Sequence, residues 1–112
     1  MRHMPAIWQW GSAGAVAFAL LVAPAKSGSD PAPNPEKLRH LVIQDCGGCH
    51  GLTLKGGLGK PLTAEHLSQW DREQLAHIIL EGVPGTPMPA WRPLMSEADA
   101  RWIADMLKQG RL

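Results

Sequence analysis

Apolar side chains recur at helical spacing in three separate stretches of this chain. The first stretch follows Asn34, a favourable N-cap residue, and has a proline at the first helical position. Positions three and four apart share one face of a helix, so the pattern predicts an amphipathic helix from Pro35 to about Asp45. Its apolar stripe consists of Leu38, Leu41 and Val42.

The second stretch carries helix start and stop signals at both ends. Asp71 is a typical N-cap, and Gln74 stands three residues later as the partner of a capping box. Gly82 is a typical C-terminal stop, so we expect this helix to end at about Glu81. The predicted buried face consists of Leu75, Ile78 and Ile79.

The third stretch lies near the C-terminus. Ser96 and Asp99 form a second capping-box pattern, and Gly110 marks the end of the helix. Thr63 is also expected to cap a short helical turn through Leu67. Together the elements predict an all-α fold, a bundle of about four short helices in which the first and last helices pack together. The apolar stripe of the last helix consists of Trp102, Ile103, Met106 and Leu107.

Two segments between the helices are rich in glycine or proline. Gly51–Pro61 holds too many glycines for a stable helix, and its composition suits close approach of the backbone to another group. In Val83–Pro93 the prolines exclude a helix and are expected to hold the chain extended. Within that segment Met88 stands between two prolines, so its side chain is predicted to be presented by a rigid loop.

The N-terminus has the pattern of a secretory signal peptide. An uncharged apolar run, Ala13–Val22, precedes an Ala-Pro-Ala cleavage pattern at Ala23–Ala25. The alternative is an uncleaved membrane anchor, but the run is shorter than the roughly 20 residues that a bilayer span requires. We therefore expect a leader over 1–25, a flexible lead-in over 26–34, one domain over 35–112, and no stable membrane insertion.

Composition narrows the range of partners. The 11 Lys and Arg residues are nearly balanced by 10 Asp and Glu residues, and no basic stripe indicates nucleic acid binding. The expected mature domain is small and would bury a limited core, so a covalent group would help to stabilise it. We expect a monomer.

Cys46-Gly-Gly-Cys49-His50 is the attachment pattern of a c-type haem. Each thiol would form a thioether at one edge of the porphyrin, and His50 would become the proximal ligand of the iron. The same two cysteines are compatible with a dithiol redox pair, a disulfide or half of a zinc site. No strand-like run precedes Cys46, and the other histidines show no zinc-ligand spacing; they are His3, His40, His66 and His77.

Met88 is the candidate for the second axial ligand of the iron, because the combination of Met and His suits electron transfer. The alternatives are that Met88 fills the core, that Met95 is the ligand instead, or that His77 makes a bis-His iron. With Met88 and His50 as ligands both faces of the iron are closed, and the chain is a carrier and not an enzyme. With one axial site open, it would be a peroxidase-like or ligand-sensing haem protein.

Other residues near these motifs have possible supporting roles. A backbone carbonyl near Lys60–Pro61 is placed to accept the other ring N–H of His50 and fix its tautomer. Trp70 and Trp91 are candidates to donate an indole N–H to a haem propionate, or simply to pack in the core. Three cations near the loops either steer an acidic partner or are merely solvated; they are Lys55, Lys60 and Arg92.

Gln44–Thr63, Gly85–Leu94 and Ser96–Leu107 together resemble the class I monohaem cytochromes c. Within that class they are most similar to the small periplasmic cytochromes encoded with the haem d1 nitrite reductase of denitrifying bacteria. The resemblance implies one covalent haem c, a periplasmic location and electron delivery to cytochrome cd1 nitrite reductase. A redox step in the maturation of haem d1 is the alternative that it implies.

Overall fold

The computed structural model of the protein describes residue 28 and residues 30–112. Every regular element in that part of the chain is a helix, which confirms the all-α prediction. The expected leader, 1–25, lies outside the described residues, and residues 30–34 have no regular secondary structure. The elements are α1 (Pro35–Leu41), a π-helical segment (Val42–Cys46), α2 (Gly47–His50), α3 (Ala64–Leu67), α4 (Arg72–Glu81), a 3₁₀ turn (Arg92–Leu94) and α5 (Glu97–Lys108).

The first helical stretch begins as expected but continues further than its pattern predicted. The Asn34 side chain accepts a hydrogen bond from the backbone N–H of Lys37 at 3.0 Å. The helix does not end near Asp45, because the π-helical segment leads directly into α2. There the N–H of Gly47 donates to the carbonyl of Val42, five residues back, so this turn holds one residue more than an α-helical turn.

The two glycines of the Cys46–His50 motif, Gly47 and Gly48, therefore lie within the helical stretch and do not form a turn. Gly47 has helical backbone angles, with φ −60° and ψ −26°, and is buried. The sharp change of direction comes at Gly51, where φ is +86°. A left-handed backbone favours glycine because a β-carbon would crowd the following carbonyl.

The capping predictions for the two longer helices are confirmed. The N–H of Gln74 donates to Asp71 at 2.8 Å, and the N–H of Asp71 donates to Gln74 at 2.9 Å. Ser96 and Asp99 form the same reciprocal pair at 3.0 and 3.1 Å. At the end of α5, the N–H groups of residues 110 and 111 donate to the carbonyls of residues 107 and 106, which is a Schellman motif with Gly110 at φ +62°.

Small side chains form the seam between α4 and α5. Ala76, Ala100 and Ala104 are all buried, and alanine lets two helix backbones approach closely. As a result, the larger residues flanking the seam are displaced from the interior. Four residues predicted to be buried are only half-buried; they are Ile78, Ile79, Trp102 and Met106.

The remaining core joins the first helical stretch to the C-terminal helix, as predicted. Leu38 and Val42 are buried in the same core as Ile103 and Leu107. At its edge, the Arg39 guanidinium lies 5.6 Å from the ring centroid of Trp102 and donates to the carbonyl of residue 111 at 2.6 Å. Among the described residues, no helix is both long and apolar enough to cross a membrane.

Ile103→Ala is expected to lower the free energy of unfolding by about 2–5 kcal/mol, because it removes three carbons from a side chain that is 1% exposed. Chemical denaturation followed by circular dichroism measures the change. Leu94→Ala is the matched control, since Leu94 is 67% exposed and its truncation should cost less than about 0.5 kcal/mol. Equal losses for the two variants would contradict this assignment of the core.

Candidate functional site

The His50 ring is held by a backbone carbonyl at the end of α2. Its Nδ1 lies 2.6 Å from the carbonyl oxygen of Lys60, which confirms the sequence prediction. A carbonyl oxygen only accepts hydrogen bonds, so Nδ1 carries the proton and donates. In the neutral ring the other nitrogen, Nε2, then has the free lone pair, which is the form that binds a metal.

The glycine-rich loop brings that carbonyl into place by wrapping closely around the end of α2. The N–H of Gly59 donates to the carbonyl of Cys49 at 2.7 Å, and the N–H of Gly56 donates to the carbonyl of His50 at 2.8 Å. A β-carbon on Gly59 would lie 2.7 Å from the His50 ring, and one on Gly57 would lie 2.7 Å from the Cys49 carbonyl. These glycines are required by the lack of space beside the histidine.

Leu54 anchors the same loop to the core, and its role was not predicted from the sequence. It adopts φ +59°, a left-handed conformation that costs a leucine roughly 1–2 kcal/mol. Its side chain is buried in the hydrophobic core, and its carbonyl accepts from the N–H of Leu62 at 2.8 Å. Burial of the side chain offsets the backbone cost, so the loop is attached to the core in its middle.

Both cysteines are free of disulfide bonds and differ in exposure. Cys46 is half-buried and Cys49 is exposed. Burial raises the pKa of the Cys46 thiol to about 11, and the Asp45 carboxylate adds to the rise. Dithiol redox centres and zinc sites need a readily formed thiolate, so this environment is unfavourable for both alternatives. A thioether requires no thiolate once it has formed.

The proline-rich segment was expected to be extended, but it is not extended throughout. Its first half is a tight turn over Val83–Thr86, closed by a hydrogen bond from the N–H of Thr86 to the carbonyl of Val83 at 3.2 Å. Pro84 occupies the second position of this turn and Gly85, at φ +77°, the third, which is the arrangement of a type II turn. Proline thus shapes this segment by favouring a turn.

Met88 is held by backbone contacts on both sides of this turn. Its carbonyl accepts from the N–H of Val83 at 3.2 Å, and its own N–H donates to the Thr86 hydroxyl at 3.3 Å. Gly82 lies directly beneath, because a β-carbon there would sit 2.6 Å from the Met88 carbonyl oxygen. The Met88 side chain is half-buried, whereas Met95 lies in the core and is 8% exposed.

The residues that were predicted to have supporting roles lie in different environments. His77 is exposed and borders a shallow cavity of about 200 Å³ on the surface of α4 and α5. Trp70 and Trp91 are half-buried and pack against the core. Arg92 does not join Lys55 and Lys60 as a free cation, because it forms ion pairs with two glutamates.

The donor set and the nearby apolar surface fit a covalent haem. Two thiols and an imidazole with its Nε2 unprotonated lie within one continuous helical stretch. Two leucines within the glycine-rich loop are strongly exposed, Leu52 at 70% and Leu58 at 95%. Ile43 and Val83, near the two candidate iron ligands in the chain, are also exposed. These exposed apolar side chains lie close to the candidate ligands in the chain, where a bound haem would give them an apolar surface to pack against.

An all-α fold with this cysteine-and-histidine site defines the protein as a c-type cytochrome. The family profile described as cytochrome c oxidase, cbb3-type, subunit III matches residues 33–107. Cytochrome c55X of Paracoccus denitrificans is 55% identical over 93 residues, which are 83% of this chain and 90% of that protein. The chain therefore belongs to the cytochrome c55X family of c-type cytochromes. Proteins of this kind are electron carriers with covalently bound haem c, and they are not enzymes.

Comparisons with two solved structures and one further sequence show the same relationship. The structure of the c-type cytochrome NirC superposes with a TM-score of 0.67 at 51% identity, covering 70% of this chain and 95% of NirC. Dihydro-heme d1 dehydrogenase of Pseudomonas aeruginosa is 33% identical over 90 residues, 80% of this chain but only 17% of that enzyme. The structure of NirN, the dihydro-heme d1 dehydrogenase, in complex with DHE has a TM-score of 0.59 at 34% identity, over 63% of this chain and 15% of NirN.

Gly82→Ala is expected to displace the loop that carries Met88. The new β-carbon would lie 2.6 Å from the Met88 carbonyl oxygen, and the alanine backbone would have to adopt φ +68°. Gly85→Ala is the matched control, because Gly85 has φ +77° with nothing within 4 Å. The control should lose about 1–2 kcal/mol of unfolding free energy from the backbone alone, and Gly82→Ala a further 1–3 kcal/mol, roughly, from the clash. Denaturation curves showing equal losses would contradict this placement of the loop.

Proposed function

We propose that Cys46 and Cys49 hold the haem through thioethers and that His50 and Met88 are the two axial ligands of its iron. The observation that carries this proposal is the hydrogen bond from His50 Nδ1 to the Lys60 carbonyl at 2.6 Å. It leaves Nε2 as the nitrogen with a free lone pair. When bound, the haem supplies one-electron chemistry, with its iron alternating between the ferrous and ferric states.

The chain's own residues prepare this site before any electron moves. The glycine loop keeps the His50 ring from rotating, because no space is left beside it at Gly59. The type II turn and the two backbone hydrogen bonds of Met88 hold the loop that carries Met88 in one conformation. With both axial ligands supplied by rigid segments, no position remains for a substrate, and little reorganisation accompanies a change of charge. These properties suit a carrier.

Met88→Ala is expected to remove the near-infrared band of a methionine–iron bond from the oxidised protein. The reduction potential should fall by an amount on the order of 100 mV or more, because a thioether ligand raises it. Visible and near-infrared spectra and a redox titration of the haem-loaded protein measure both effects. Met95→Leu is the control, since Met95 lies in the core and should leave the band in place.

Loss of the band in Met95→Leu, but not in Met88→Ala, would move the ligand to Met95. If the unmodified protein lacked the band and its reduced form bound carbon monoxide readily, the haem would have an open axial site. The peroxidase-like or ligand-sensing alternative would then replace the carrier.

We further propose that the protein works in the periplasm, with residues 1–25 removed as a leader, and passes electrons to cytochrome cd1 nitrite reductase. Support comes from the resemblance to small cytochromes encoded with haem d1 nitrite reductase and from the likeness to NirC. The near balance of acidic and basic residues suits a transient encounter that does not depend on a strong field.

A second candidate function is a redox step in haem d1 maturation. It is favoured by the likeness of this chain to a part of dihydro-heme d1 dehydrogenase. A dehydrogenation releases two electrons and two protons, so a one-electron carrier would accept the electrons one at a time. The two functions therefore run in opposite directions for this chain, which donates electrons in the first and receives them in the second.

Rapid mixing of purified proteins distinguishes the two directions. If nitrite reduction is the role, the reduced protein should be oxidised by oxidised cytochrome cd1 nitrite reductase within the mixing experiment. If maturation is the role, the oxidised protein should be reduced by dihydro-heme d1 dehydrogenase with its substrate. A mitochondrial cytochrome c serves as the control in both experiments. If neither enzyme exchanged electrons with this protein faster than with the control, both proposals would be rejected.

A further inference from the structure

We propose that Glu81 and Arg92 form an ion-pair clamp across the base of the Met88 loop and act as positioning residues for the methionine ligand. The inference rests on the proposed function, since it concerns the retention of Met88 on the iron. Glu81 is the last residue of α4, and Arg92 is the first residue of the 3₁₀ turn. The loop between them, 82–91, contains Met88.

The contact between the two side chains is a double one. Arg92 Nε donates to Glu81 Oε1 at 2.6 Å, and Nη2 of the same guanidinium also contacts that oxygen. Charge-assisted hydrogen bonds of this kind are stronger than neutral ones. Because the pair joins residues on either side of the loop, opening the loop at its base requires this contact to stretch or break.

The clamp lies beside backbone contacts that close the same base. The N–H of Trp91 donates to the carbonyl of Ile79 at 3.2 Å. Trp91 directly precedes Arg92 in the chain, and Ile79 lies two residues before Glu81. The N–H of Val83 donates to the Met88 carbonyl at 3.2 Å. The ion pair between the loop ends adds a side-chain restraint to these two backbone hydrogen bonds.

Electrostatics favour the pairing of Glu81 with Arg92. Glu81 sits at the C-terminus of α4, where the helix dipole already carries negative charge, so the carboxylate is unfavourable there without a cation. Arg92 Nη1 also lies 3.5 Å from Glu97, at the start of α5. Removing the guanidinium would leave the Glu81 carboxylate uncompensated beside the loop, whereas Glu97 would keep its contact with Arg101.

The same surface provides a matched control. Arg101 pairs with Glu73 at 2.9 Å and with Glu97 at 3.4 Å, so it belongs to the same network of ion pairs. Its side chain is 41% exposed, close to the 49% of Arg92. Arg101 joins α5 to α4 and touches neither end of the loop. It therefore forms the same kind of ion pairs as Arg92 but does not connect the two ends of the Met88 loop.

Displacement of the methionine by imidazole measures how often the loop opens. Imidazole reaches the iron only after Met88 leaves, so at saturating imidazole the loss of the near-infrared band proceeds at the rate of loop opening. We expect this plateau rate to rise about two- to fivefold in Arg92→Gln and in Glu81→Gln, as suits one exposed ion pair. Arg101→Gln should keep the rate of the unmodified protein.

A double-mutant cycle tests the pair itself. If the clamp acts as one unit, Glu81→Gln combined with Arg92→Gln should open about as fast as either single variant. Multiplicative effects, or an equal acceleration by Arg101→Gln, would overturn the proposal. A band that is absent from the unmodified protein would instead reject Met88 as a ligand, and the clamp with it.

Ionic strength supplies an independent test, made on the unmodified protein and on Arg92→Gln. Exposed ion pairs are screened by salt, with a Debye length of about 10 Å at 0.1 M and about 3 Å at 1 M. The plateau rate of the unmodified protein should therefore rise with salt towards that of Arg92→Gln, while the rate of Arg92→Gln itself changes little. Parallel salt dependence in the two proteins would overturn the proposal.

Discussion

The hydrogen bond from the His50 ring to the Lys60 carbonyl is the interaction on which the site depends. It decides which ring nitrogen is free to bind a metal, and it requires the chain to return to the end of α2 within ten residues. That return is possible only because the loop lacks β-carbons where it passes the ring and the Cys49 carbonyl. The glycine content of the loop is thus a consequence of one short distance.

The two loops hold their residues by opposite means. The loop after His50 uses glycine for close approach and Leu54 as a buried anchor in the core. The loop around Met88 uses a proline-shaped turn, backbone hydrogen bonds and, we infer, an ion pair at its base. Leu54 lies in the same core as the α4–α5 seam, and the N–H of Trp91 bonds the Met88 loop to α4, so a small helical core supports both loops.

Covalent attachment of the haem is consistent with the exposed apolar surface of the polypeptide. Several large apolar side chains near the two candidate ligands are not covered by the chain itself, Leu52 and Leu58 foremost. A domain of this size buries a limited core, and a large apolar ring held by two bonds supplies area that the chain does not. The haem therefore belongs to the folding of the domain as much as to its redox chemistry.

The sequence alone determined the features that short-range chemistry controls. Capping residues, the helix stops at Gly82 and Gly110, the haem motif and the carbonyl partner of His50 all follow from residues close together in the chain. Tertiary structure decided the rest: the π-helical turn before Cys46, the alanine seam that displaced Ile78 and Met106, and the pairing of Glu81 with Arg92. These depend on which surfaces meet, and contacts between residues far apart in the chain leave no local pattern from which they can be predicted.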